Sequence, residues 1–379
     1  MKFAFVIFKY FPYGGVQRDM LRYAYACARR GHQVTLYAGE WEGDRPEAGI
    51  EVEVLPPSGW LNHRQRRDFI HQVTARLQQN LPDLVLGFNR MPGLDAWFAA
   101  DPCYEERARS QRKWFYRLGG RYRFFAHCER EVMHADGHCR ILLLSPREKA
   151  IYQKWYDTPD SRFVQLPPSI TWQAFDGLTT AEARRALRAE FGFGDDELLL
   201  LLVGSAFKRK GLDRAIAGLA ALPAALRDKT RLLAVGQDDP KDMLELVHKL
   251  GVADRVVITR GRNDVPRLMK GADVLVHPAR VELAGNVLIE ALAAGLPVLA
   301  SAECGYAMHI AQAGAGFITA TPFNQQDFNR CLEELLAAPT RETWALAAQA
   351  YAGKIRRDAP EGFEADLLET LAHAKAARP

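Results

Sequence analysis

Short apolar runs alternate with segments of helical period along the whole chain. The first run, 3–8, is followed by the glycine turn Gly14-Gly15 and by a helical pattern over 17–30, which predicts a strand, a turn and a helix. Runs at 34–37, 51–54, 84–87 and 141–144 predict further strands, spaced widely enough for crossover helices. Around 166–180 the alternation breaks at Pro167-Pro168 and a polar stretch, which places a domain boundary there. It resumes with runs at 198–203, 232–235, 256–259, 274–276 and 297–300. Strands that alternate with helices form parallel sheets wound on both faces. The pattern therefore predicts an α/β chain of two Rossmann-like domains, 1–167 and 168–358. A helical tail, 359–379, either packs back on the first domain or stands as a plain C-terminal helix.

The length of 379 residues agrees with two domains of ordinary size. The 50 basic and 46 acidic residues leave a net charge of only +4, so any basic function must be local. Six cysteines include no C-x-x-C pair and no Cys/His cluster of ligand spacing, which predicts reduced thiols and no structural zinc. The run 3–8 stops at Lys9, short of a secretory signal, and no stretch approaches the roughly 18 apolar residues of a membrane span. A cytoplasmic protein is expected, with peripheral membrane attachment open.

Three glycine or basic turns follow predicted strands, where anions bind in open α/β sheets: Gly14-Gly15, Gly204 to Gly211, and Gly261-Arg262. None has the order of a dinucleotide or Walker-type loop. Lys208, Arg209 and Lys210 before a glycine would clamp a diphosphate, or would simply lie on a solvated loop. The sharpest constellation is Glu282 and Glu290, separated by seven residues and preceded by His277-Pro278. With Gly285 starting a helix, Glu282 lies in the loop at its mouth and Glu290 inside it. Carboxylates so placed suit the hydroxyls of a ribose or hexose. His277 reads as a satisfied core histidine and His32 as turn packing, while Arg64, Arg66 and Arg67 meet either phosphates or solvent.

One segment departs from the even charge balance: 107–125 holds seven basic residues, six aromatics and no acid. The mixture suits an anionic membrane surface, through Arg112, Lys113, Trp114, Phe115, Arg117 and Arg121. It also suits single-stranded nucleic acid, or a folded arm whose aromatics pack inside. Membrane is the reading preferred, with nucleic acid not expected as a partner. Gly119-Gly120 weakens a continuous helix here.

The segment 282–297 resembles the glutamate-x7-glutamate signature of glycosyltransferase family 4, retaining enzymes of the GT-B fold in which two Rossmann-like domains face a central cleft. Segments 9–19, 87–95, 261–265 and 304–307 resemble the family's lipopolysaccharide-core members. The resemblance implies transfer of glucose from UDP-glucose to a heptose of the inner core in α-1,3 linkage; the alternatives are a related transferase with another UDP-sugar or acceptor, and a non-enzymatic anionic-lipid or nucleic-acid binding protein. On this chain it implies Arg209 and Lys210 on the diphosphate, Glu290 on the ribose, and Glu282 on the 3- and 4-hydroxyls of the sugar. It further implies the amides of Gly285, Asn286 and Val287 at sugar and phosphate, Gly15 approaching from the first domain, and Arg262 at the donor. Asp19 and Asp101 lie near the reacting sugar, or are a cap and a surface residue. Ser205 stands where the family often has arginine. No aspartate-x-aspartate is present, so neither metal nor cofactor is expected.

Overall fold

The structure is a computed structural model that describes residues 1–377 apart from 13, 48, 178 and 340. Tyr13, within the family-like segment 9–19, and the last two residues of the tail lie outside the described residues. The chain forms two compact units, Met1–Leu166 with Pro360–Pro379, and Pro167–Ala359.

The first unit holds β1 (Lys2–Tyr10), β2 (Gln33–Trp41), β3 (Ile50–Val54), β4 (Leu84–Gly87), β5 (Ala96–Ala99), β6 (Arg140–Leu143) and β7 (Phe163–Gln165), ordered β3-β2-β1-β4-β5-β6-β7. The second holds β8 (Leu198–Val203), β9 (Thr230–Val235), β10 (Val256–Thr259), β11 (Val274–His277), β12 (Val298–Ser301) and β13 (Gly316–Thr319), ordered β10-β9-β8-β11-β12-β13. Every pairing is parallel. A parallel sheet is buried on both faces, so its strands must be apolar at successive positions, and each face needs its own core. Phe3, Phe5 and Ile7 of β1 enter one core while Ala4, Val6 and Phe8 enter another. In β8, Leu199 and Leu201 likewise part from Leu200 and Leu202.

β5, β7 and β13 are absent from the sequence-based expectation. β5 is only four residues long beside a polar turn, β7 is three, and β13 starts on a glycine, a poor strand former. The tail helix, Phe363–Ala376, packs on the first unit, setting Ala365, Leu368, Leu371 and Ala372 into the core with Phe3 and Phe5. Its Glu369 accepts from Arg30 and lies 2.7 Å from His32 Nε2, so His32 anchors the tail as well as packing edge-on against Phe3. Gly119 interrupts the segment 107–125, capping the helix Gly120–Met133 after a single 3-10 turn, Trp114–Leu118.

Candidate active site

Strand order reverses between β8 and β11 in the second unit, and ligands of open α/β sheets bind beyond the carboxyl ends at such a point. The two loops leaving these strands hold the residues that the sequence singles out. After β8 the chain passes Gly204, Ser205 and Ala206 into the short helix Phe207–Lys210; after β11 it passes 278–285 into the helix Asn286–Ala294. Gly211 lets the loops touch: its φ is 82°, and a Cβ there would lie 2.0 Å from the Pro278 carbonyl oxygen. The Arg280 amide donates to the Arg209 carbonyl at 2.8 Å, and Arg214 donates to the carbonyl of Pro278 at 3.0 Å.

This lacing brings two cations onto one carboxylate. Arg209 Nη1 lies 2.7 Å and Lys210 Nζ 2.5 Å from Glu282 Oε2. Lys210 and Glu282 are nearly buried, with side chains 12% and 16% exposed, whereas Arg209 is 48% exposed. Burial pushes the Glu282 carboxyl up, but the charge and hydrogen bond of Lys210, with Arg209 beyond, outweigh it and hold the group below its ordinary range. Glu282 is therefore an anion under an excess of positive charge. Gly285 opens the next helix with φ 96°, and a Cβ there would fall 2.3 Å from Cys304 Sγ, which itself donates to the Ala284 carbonyl at 3.3 Å. Burial pushes the Cys304 thiol up to about 12, so it stays protonated. The amides of the helix's first turn, including Asn286 and Val287, have no intrahelical carbonyl to bind and so suit an anion. Glu290 sits half-buried inside the same helix.

Residues 183–351 match the family model of glycosyl transferases group 1, and residues 13–171 that of glycosyltransferase family 4. Over 350 residues the chain is 44% identical to the lipopolysaccharide glucosyltransferase WaaG of Escherichia coli K12, covering 92% of this chain and 93% of that protein. The chain belongs to glycosyltransferase family 4. A crystal structure of WaaG superposes with a TM-score of 0.85 at 41% identity, over 99% of this chain and 100% of that one. Anabaena HepE in complex with UDP and glucose has a TM-score of 0.74 at 17% identity, over 98% and 100%, and shares the fold. The architecture is that of the GT-B glycosyltransferases, and the protein is a glycosyltransferase.

Arg262 forms a separate cluster: it forks onto Asp264 at 2.7 and 2.8 Å and meets Glu190 at 2.6 Å, and Arg267 binds the same two carboxylates. Those partners compensate its charge, and no contact joins it to Glu282 among the described residues. Ser205, in the place of the family's frequent arginine, braces the loop by accepting from the Gln237 amide at 3.1 Å. Nothing cationic stands at that position, which leaves Arg209 and Lys210 as the cations on Glu282.

His277, expected to be a satisfied core histidine, is buried but not satisfied: neither ring nitrogen has a hydrogen-bond partner among the described residues. Burial, then the charges of Lys210 and Arg209, lower its pKa to about 3. The folded state thus keeps the ring neutral while the unfolded chain protonates near pH 6.5. Its depressed value means full stability above about pH 6.5 and progressive loss below, about 2 kcal/mol by about pH 5. Urea titrations across this window should show the slope in wild type and a flatter one in His277→Asn. An unchanged slope in the variant would remove His277 as its source.

In the first unit, Gly15 is the first residue of the helix Gly15–Arg29, and the space a Cβ would occupy there is open. Asp19 lies 2.9 Å from Arg22, which also lies 2.8 Å from Glu364 of the tail helix. Burial raises the Asp19 pKa in spite of Arg22. Asp101, just past β5, is half-exposed and stands 3.9 Å from Arg90, whose guanidinium binds the fully buried Glu129. Asp19 thus also ties the tail to the unit, while Asp101 is the more accessible carboxylate.

The segment 107–125 divides its aromatics. Trp114, Phe115 and Leu118 are exposed, whereas Phe124 is buried, Tyr116 meets the Tyr104 hydroxyl at 2.8 Å and Tyr122 donates to Glu105 at 2.7 Å. Arg112, Lys113 and Arg121 lie on the surface and Arg117 is half-buried. Internal packing and an exposed basic-apolar tip coexist. Among the described residues no helix is long and apolar enough to cross a membrane.

Proposed function

We propose that this glycosyltransferase moves glucose from UDP-glucose to a heptose of the lipopolysaccharide inner core, forming an α-1,3 linkage with retention. The observation that carries the reading is the convergence of Arg209 and Lys210 on Glu282 beside the Gly285 helix entrance. The 44% identity to a lipopolysaccharide glucosyltransferase supports the donor and acceptor classes. A donor diphosphate competes with Glu282 for the two cations, and its charge as it departs is stabilised by them and by the amides of Gly285, Asn286 and Val287. Glu282 accepts from the 3- and 4-hydroxyls of the glucose, and Glu290 from the ribose. Transfer on one face needs no protein nucleophile: a leaving phosphate oxygen takes the acceptor's proton. Asp19 and Asp101 are assigned a catalytic place near the reacting sugar, Gly15 a close approach to the diphosphate, and Arg262 a place at the donor.

Transfer measured with a panel of UDP-sugars and deacylated core acceptor tests the reading, and UDP-glucose should be the preferred donor. Activity should also survive excess EDTA, because protein cations perform the charge compensation that metal supplies in other transferases. Loss of transfer in EDTA with recovery in manganese would contradict that assignment.

The enzyme would work at the cytoplasmic face of the inner membrane, held by the exposed tip of 112–121. Replacing Arg112, Lys113 and Arg121 by Gln should release it from anionic vesicles in co-sedimentation, as should raised salt, with UDP binding unchanged. If the variant pellets like wild type, this tip does not anchor the protein.

A further inference from the structure

A second basic site lies in the first unit, apart from the exposed tip. A pocket of about 350 Å³ is formed where three elements converge at the carboxyl edge of the sheet. Arg67 and Ile70 come from the first half of the helix Asn62–Asn80, which follows β3; Pro92 comes from the loop after β4; Arg123, Phe124 and His127 come from the helix Gly120–Met133. Strand order in this sheet reverses between β1 and β4, so the loop carrying Pro92 leaves the switch point itself.

The lining is chemically one-sided. It presents two guanidinium groups and an imidazole, and no carboxylate. Neither the Arg67 nor the Arg123 guanidinium has a hydrogen-bond or ion-pair partner among the described residues, and the His127 ring has only the exposed Glu131 at 3.6 Å. The neighbourhood is not short of acids: Arg76 pairs with Glu53, Arg90 with Glu129 and Arg109 with Glu105, yet none of those carboxylates faces the pocket. Arg67 lies over the Phe124 ring at 5.6 Å, which fixes it at the apolar wall formed with Ile70 and Pro92. Next to it, Arg66 stacks on Phe8 at 3.7 Å and continues the cationic surface toward the end of β1. Unpaired guanidinium groups above an apolar wall suit an oxyanion attached to a sugar ring, the forks taking the oxyanion and the wall the ring face.

We infer that this pocket binds an anionic saccharide, recognising a phosphate or carboxylate carried by the acceptor at a distance from the hydroxyl that is glucosylated. The inference deepens the proposed acceptor class and rests on it. The pocket's volume of about 350 Å³ fits a monosaccharide unit.

The test is the double variant Arg67→Gln/Arg123→Gln in the full-length chain. With core acceptor, KM for acceptor should rise about tenfold to a hundredfold, the loss of two charge-assisted hydrogen bonds, while kcat and KM for UDP-glucose stay within about twofold. Independently of catalysis, millimolar inorganic phosphate should show protein-dependent broadening of its ³¹P resonance with wild type and not with the variant. An unchanged acceptor KM together with unchanged broadening overturns the site. A normal acceptor KM with loss of binding to phosphatidylglycerol vesicles overturns the saccharide assignment and makes the pocket a lipid-headgroup site. If wild type transfers nothing to core acceptor but the phosphate broadening behaves as stated, the acceptor reading fails and the oxyanion site stands without a saccharide.

Discussion

Glu282→Gln should lower turnover by about two to three orders of magnitude while leaving affinity for UDP equal to or slightly above wild type. The carboxylate would bind hydroxyls of the transferred sugar, and losing charge-assisted hydrogen bonds to them weakens the transition state. UDP lacks that sugar. Its diphosphate instead competes with Glu282 for Arg209 and Lys210, which lie 2.7 and 2.5 Å from Oε2, so neutralising Glu282 frees two cations for phosphate. Glu290→Gln should do the reverse, weakening UDP about tenfold through the ribose. Glutamine is the variant of choice at 282, since alanine would leave nearly buried Lys210 beside a void as well as without its anion. Calorimetric UDP titration beside steady-state kinetics separates the roles. Equal loss of UDP affinity in both folded variants would show that the two carboxylates do not divide sugar and ribose.

Gly285→Ala should destabilise the second unit by about 2–4 kcal/mol and abolish most activity. Two costs combine: a left-handed backbone at φ 96°, and a new Cβ placed 2.3 Å from Cys304 Sγ. The adjacent segments cannot shift independently, because the Glu282 carbonyl accepts from the Gly305 amide at 2.9 Å and the Ala284 carbonyl from the Tyr306 amide at 2.8 Å. Displacing the helix entrance therefore moves Glu282 as well. Adding Cys304→Ala removes the clash but not the backbone strain, so Gly285→Ala/Cys304→Ala should recover part of the stability in urea unfolding. If Gly285→Ala matches wild type in midpoint and turnover, the close packing against Cys304 does not set the geometry of the loop.

Much of this site is legible without coordinates, for reasons that differ by residue. Glu282 and Glu290 stand out because their seven-residue spacing straddles a glycine that starts a helix. The cations are visible as Lys208, Arg209 and Lys210, but which of them turns inward is not: the structure puts Arg209 and Lys210 on Glu282, while Lys208 contributes its carbonyl to Arg280. Arg262 looks equally available in sequence and is not, since Asp264 is a local neighbour but Glu190 arrives from a distant helix. The orphaned nitrogens of His277 leave no trace in composition or spacing, because satisfaction depends on what lies around the ring.

By itself the sequence determined the alternation of strands and helices, the two-fold repetition of that pattern, the break near Pro167 and the residues that follow the strands it predicts, β5, β7 and β13 excepted. These follow from local rules: apolar runs pair as buried strands, and glycines permit the turns. Tertiary structure alone decided which strand ends are neighbours. Placing β8 beside β11, which brings Lys210 onto Glu282 across 72 residues of sequence, is a consequence of strand order. It likewise decided that the aromatics of 107–125 part into a packed set and an exposed tip, and that Arg67 and Arg123 share a pocket free of carboxylates. Each outcome depends on long-range packing of both sheet faces and on charges brought together across it, which no local pattern of residues encodes.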